Sequence, residues 1–120
     1  MLSIYIDNIG EMAVVECNGS IIGSEAALKL RGAVNSQRDS RIIVLDLSKV
    51  PAIEGGGLGM LVFLQRSTQD RGVQFKLFNP RQSVRDRLGQ VNSIRAFDIA
   101  TLDEMMALVA CNGIRFARAA

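Results

Sequence analysis

At 120 residues, with 48% hydrophobic and 22% charged residues, the chain has the composition of a globular protein that buries its own core, which excludes disordered, fibrous and disulfide-stapled classes. Its net charge of +2 is too small for a nucleic-acid footprint, and the eleven Arg among its fourteen cations read as scattered and solvated rather than as an anion-binding set. The longest apolar run, Gly57 to Leu64, falls short of the roughly 20 residues of a membrane helix, and the opening MLSIYIDN lacks a basic leader, so direct membrane insertion is not expected and a cytoplasmic protein is.

The chain opens on two β-rich runs, Ser3 to Asp7 and Met12 to Cys17, separated by a hairpin-length loop that contains Gly10. Ser24 is placed to cap a first helix with Glu25 in its first turn, and Ala27, Leu30 and Val34 form its inward stripe. The apolar, mostly β-branched run from Ile42 to Leu47 predicts a central strand covered on both faces. It leads through Pro51 into three consecutive glycines, Gly55, Gly56 and Gly57, which open a second helix ending near Gly72. In that helix Leu58, Leu61 and Val62 are expected to pack inward, with Gln65, Arg66, Gln69 and Asp70 lying away from them.

Val73 to Phe78 alternates as a further strand. Asn79 as cap and Pro80 as first residue predict a short helix carrying Val84 and Leu88, which Gly89 would end in a left-handed conformation. Ala96 to Ile99 is a brief strand. Thr101 with Glu104 forms a capping box for a last helix, whose Leu102, Met105, Met106 and Val109 are expected to face inward and which should stop near Gly113. Cys17 and Cys111 are far apart, and with no CxxC and no histidine neither a metal site nor a cofactor is expected; both thiols are read as buried.

The element order predicts an α/β fold: a mixed sheet of about five strands, with an antiparallel edge hairpin and the rest largely parallel, and about four helices. The strand end at Asn18 and Gly19, the LDLSKV strand end, the stretch IEGGGLGMLVFL and the later LFNPRQSVRDRL together resemble the STAS domain, shared by sulfate transporter tails and bacterial anti-sigma factor antagonists. The resemblance implies a single domain over 1–113 and a tail over 114–120. It sets Glu54, Gly55, Gly56, Gly57, Leu58 and Gly59 on the family's Asp-Ser-Ser-Gly-Leu-Gly signature. Those six residues are the expected partner-binding site.

In such antagonists the first serine of the signature is phosphorylated by an anti-sigma factor that is also a serine kinase. That place is held here by Gly55, so no phosphorylation is expected there, and the resemblance implies docking on an anti-sigma factor, of the kinase type or degenerate, that is not gated at this position. A helix N-terminus can still hold an anion through its free N–H groups; the plainer reading is that the glycines permit a tight turn. Glu54 is expected either to cap the helix or to pair with a cation of the partner. Ser20, Ser24, Ser48 and Ser67 keep hydroxyls open to modification, while turn and cap roles already account for Ser20 and Ser24.

Gly57-Leu58-Gly59 lacks the third glycine of a dinucleotide motif and no phosphate-binding GxxxxGK[ST] occurs. Arg81, Arg85 and Arg87 give the third helix a basic side without interleaved aromatics, so nucleic acid is not an expected partner. No catalytic residue is expected. The alternative function is a STAS subunit of a larger assembly, such as a stressosome-like particle or an ABC lipid transporter complex. A homodimer is left open.

Overall fold

The computed structural model describes residues 1–91 and 97–119, with 114–119 described by their helical backbone. A five-stranded sheet carries the strands β1 (Ser3–Ile9), β2 (Met12–Asn18), β4 (Ile42–Lys49), β6 (Gln74–Phe78) and β7 (Asp98–Ala100), side by side in that order. β1 runs antiparallel to β2, and every later pairing is parallel. Helices α1 (Gly23–Asn35), α2 (Gly56–Asp70), α3 (Gln82–Gly89) and α4 (Leu102–Ala119) complete the expected mixed α/β architecture. A separate two-stranded parallel ladder joins β3 (Ile21–Ile22) to β5 (Ile53–Glu54).

Period-two alternation decides which side chains reach the core. Ala13, Val15 and Cys17 of β2, Ile43, Leu45 and Leu47 of β4, and Phe75 and Leu77 of β6 line one face. Leu30 and Val34 of α1, Leu61 and Leu64 of α2, and Val84 and Leu88 of α3 close over it. Each such large side chain contributes about 1.5–3 kcal/mol on leaving water. Val44, on the opposite face, is also fully buried, as expected for a central strand covered on both sides. Burial, then the carboxylates of Asp46 and Glu16, push the Cys17 thiol up to about 12.

Several boundaries depart from the sequence pattern. The N-cap of α1 is Ile22 and makes no side-chain cap bond, so Ser24 lies inside the first turn. α3 starts at Gln82 rather than Pro80, and Asn79 sits at φ 52, a left-handed bend instead of a cap. The competing contacts are distant in sequence: the side chains of Arg81 and Ser83 donate to the backbone carbonyls of Ser48, at the end of β4, and of Pro51. Its end is Gln90 in right-handed geometry, so Gly89 supplies no left-handed residue. The last strand is described over Asp98–Ala100, and Ala96 lies outside the described residues.

The capping box forms: the Thr101 N–H donates to Glu104 Oε1 at 3.3 Å and the Glu104 N–H to Thr101 Oγ1 at 3.1 Å. The helix that follows runs past Gly113 to Ala119. Its expected inward face is only partly inward, for Leu102 and Met106 are 65% and 61% exposed. α4 rests on the β1–β2 hairpin further along, where buried Asn112 lies against Gly10, and its first turns stand clear. Cys111, read as buried, is exposed.

Candidate partner-binding site at the glycine turn

After β4 the chain turns at Val50, whose N–H donates to the Leu47 carbonyl at 3.1 Å, and passes Pro51 and Ala52 into β5. The Ile21 N–H reaches the Ala52 carbonyl at 2.9 Å. β3 and β5 then pair in parallel, Ile21 opposite Ile53 and Ile22 opposite Glu54. This short ladder sets the starts of α1 and α2 next to each other. Neither strand is longer than two residues, too little for a periodicity to show, and that is why the ladder escaped sequence reasoning. A signal was nonetheless present, because Ile21-Ile22-Gly23 and Ile53-Glu54-Gly55 share the pattern Ile-x-Gly.

The three glycines do different things. Gly55 is the N-cap of α2 at φ 54, ψ −119, a backbone state that residues with a Cβ rarely adopt; its carbonyl accepts the Gly59 N–H at 3.1 Å. A serine at position 55 would be strained even though nothing lies within 4 Å of it. Gly57 is buried, and a Cβ there would lie 2.1 Å from the Ile21 carbonyl oxygen. Glycine is therefore what lets α2 pack against β3. Gly56 is exposed, and a Cβ on it would meet only ordinary contact.

Of the six expected contact residues, Glu54, Gly55, Gly56 and Gly59 are exposed, Leu58 is half-buried and Gly57 lies beneath the surface. No side chain caps the start of α2. Its first N–H groups and the positive end of the helix dipole are thus offered to whatever docks.

Glu54 does not cap the helix. Its carboxylate pairs with the Arg87 guanidinium of α3, both groups about half exposed. Arg81 Nε donates to the Ser48 carbonyl at 3.0 Å and Ser83 Oγ to the Pro51 carbonyl at 3.0 Å. Three side chains of α3 and its approach therefore hold the end of β4, Pro51 and Glu54 in succession. Sequence reasoning saw this cluster only as a basic side of the third helix. In α2, Leu61 is fully buried as expected, while Gln65, expected to lie away from the core, is half-buried with an Oε1 that finds no partner.

Among the described residues no group of three or more His, Cys, Asp or Glu is placed to hold a metal ion, and no helix is long and apolar enough to cross a membrane. What the turn presents is a helix start without a side-chain cap, beside a carboxylate paired with a cation.

Among curated proteins, none matches the chain by sequence. An anti-sigma factor antagonist from Mycobacterium paratuberculosis has a similar structure, with 19% identity and a TM-score of 0.75 over 92% of this chain and 95% of its own. The Bacillus cell fate determinant SpoIIAA in its phosphorylated form is similar at 16% identity and TM-score 0.67, over 89% of this chain and 99% of its own. A sulfate transporter family protein from Wolinella succinogenes gives 20% identity and TM-score 0.69, over 85% and 87%. These likenesses are of fold. The family model for the STAS domain matches residues 3–110, and the chain belongs to the STAS domain family.

Proposed function

We propose that this protein is an anti-sigma factor antagonist, a non-enzymatic module that docks on an anti-sigma factor through the start of α2 and so regulates transcription. The observation that carries the reading is the exposed, uncapped turn at Glu54, Gly55, Gly56 and Gly59, on a fold shared with proteins of that name. Gly55 has no hydroxyl and its backbone disfavours one, so docking is not gated at this position. The Glu54–Arg87 pair holds the turn in place without contributing net charge to it.

A pull-down from the native host's lysate tests this, with the wild-type chain and Gly59→Arg as baits. Position 59 is exposed with nothing within 4 Å, so the variant should keep its circular dichroism spectrum and melting temperature. Wild-type bait should retain an anti-sigma factor, identified by mass spectrometry, and the variant should lose it. Recovery of particle scaffold or ABC transporter subunits by the wild type would replace this reading with membership of a larger assembly. Equal capture of the anti-sigma factor by both baits would move the docking surface away from α2.

A further inference from the structure

We propose that the open edge of β1 pairs with the same edge of a second copy of this chain, antiparallel about a two-fold axis at Tyr5. The pairing is independent of docking at α2. The sheet has two outer strands, and they are not alike. β7 is three residues long, its Asp98 is tied to Lys76 at 2.7 Å, and α4 follows almost at once. β1 is seven residues long, pairs with β2 without a register shift, and contains no Lys, Arg or Pro. Short length, charge, proline and bulges are what keep sheet edges from pairing, and of these β1 has only the carboxylate of Asp7.

The backbone of this edge is unfinished. Ile9 and Met12 close a two-residue hairpin, so Ile9, Asp7, Tyr5 and Ser3 bond to β2, while Ile4, Ile6 and Asn8 turn their N–H and C=O groups outward. Among the described residues no hydrogen bond engages these outward groups. Leu2, in phase with them just before the strand, has its carbonyl bound by Lys29 Nζ at 2.7 Å, which leaves the edge open from Ile4 onward. Alternating donors and acceptors at strand spacing are matched by another extended backbone.

The side chains select a second copy. With Tyr5 opposite itself, Ile4 meets Ile6 and Ser3 meets Asp7 of the other copy, and symmetry repeats each pair. Ile4 and Ile6 stand on the helix-covered face, beside Cys17 and Val15 of β2, and pack against the core, so the pairing continues that apolar face across the axis. Tyr5 is 59% exposed. It meets its own copy at a non-hydrogen-bonded position, where side chains come closest and aromatic pairs are favourable. Centring the pair on Asp7 would oppose two carboxylates, and centring it on Ile6 would set Ile4 against Asn8. One strand pair covers less than the roughly 1,200 Å² of stable complexes, so the dimer forms reversibly with concentration.

Sedimentation equilibrium over a concentration series tests this. The wild-type mass should rise from 13.0 kDa toward twice that value. Tyr5→Lys opposes two ammonium groups at an exposed position and should stay at the monomer mass with an unchanged circular dichroism spectrum. A wild type that is monomeric at every concentration overturns the proposal and leaves the edge to a strand of another protein. Dimer undiminished in Tyr5→Lys overturns it too. Register is read by mild oxidation in a Cys111→Ser background, because Cys111 is the exposed thiol. Tyr5→Cys should form an intermolecular disulfide, since the Cα atoms of such a pair lie about 4.5 Å apart, within disulfide reach. Asp7→Cys, about 13 Å from its own copy along the strands, should not. Crosslinking that is equal at the two positions, or absent from Tyr5→Cys, rules out this pairing even in a chain that dimerises.

Discussion

The starts of α1 and α2 leave the same two-stranded ladder in step, through Ile21-Ile22-Gly23 and Ile53-Glu54-Gly55, and then diverge in what they carry. α2 continues with Gly56 and Gly57, and α1 with Ser24 and Glu25. At α2 the missing side chain of Gly57 serves packing, because it admits the Ile21 carbonyl; at α1 the residues after Gly23 keep exposed polar side chains. One backbone device thus supports two different surfaces. Gly57 is a packing requirement, and Gly55 and Gly56 bring no side chain of their own to the turn.

The comparison can be broken first at Gly57. Gly57→Ala should cost roughly 3 kcal/mol, an overpacking penalty against backbone that cannot swing aside, and lower the melting temperature by on the order of 10 °C. Ser24→Gly, in the first turn at the other start, should come nowhere near that in the same calorimetric scan. A loss at Gly57 no larger than at position 24 would mean that β3 and α2 are not in contact.

Next come the two glycines with positive φ. Gly55→Ala and Gly23→Ala should each cost about 1–2 kcal/mol by urea titration, because both put a Cβ into a left-handed backbone with open space around it. Similar penalties support the shared device, and a large inequality would show that the two starts are built differently. Arg87→Ala should change stability by about 1 kcal/mol or less, since its pair with Glu54 is half exposed and screened. Smallest of all, Ser24→Ala should shift stability by less than about 0.5 kcal/mol, as expected for a surface hydroxyl with no partner. A larger loss would reveal a capping role that the geometry does not give it.

Much of this architecture was legible in the sequence because long, strongly patterned segments announce themselves. The run Ile42 to Leu47 could only be a buried strand, and Thr101 with Glu104 marked a helix start that both hydrogen bonds bear out. What escaped depends on contacts made far along the chain. The Asn79-Pro80 pair carries a standard helix-start signal, which is overridden because Arg81 and Ser83 bind carbonyls 33 and 32 residues away. Leu102 and Met106 follow a helical period correctly, yet periodicity cannot tell that α4 meets the sheet chiefly through its later turns. The candidate site was legible as a stretch, Glu54 to Gly59, but the different backbone roles of its glycines were not. That Gly57 is obligatory follows only once β3 is known to lie against it, and the partner of Glu54 is Arg87, 33 residues on.

The central claim is that the paired helix starts form the docking surface, and the most direct test is a titration of the isotope-labelled chain with the captured anti-sigma factor, followed by amide NMR. The account predicts the largest shift changes and line broadening at residues 22–25 and 54–60, with residues 102–113 of α4 little affected. Perturbations centred on the exposed Leu102 and Met106, with the glycine turn unmoved, would contradict it and assign the partner to α4.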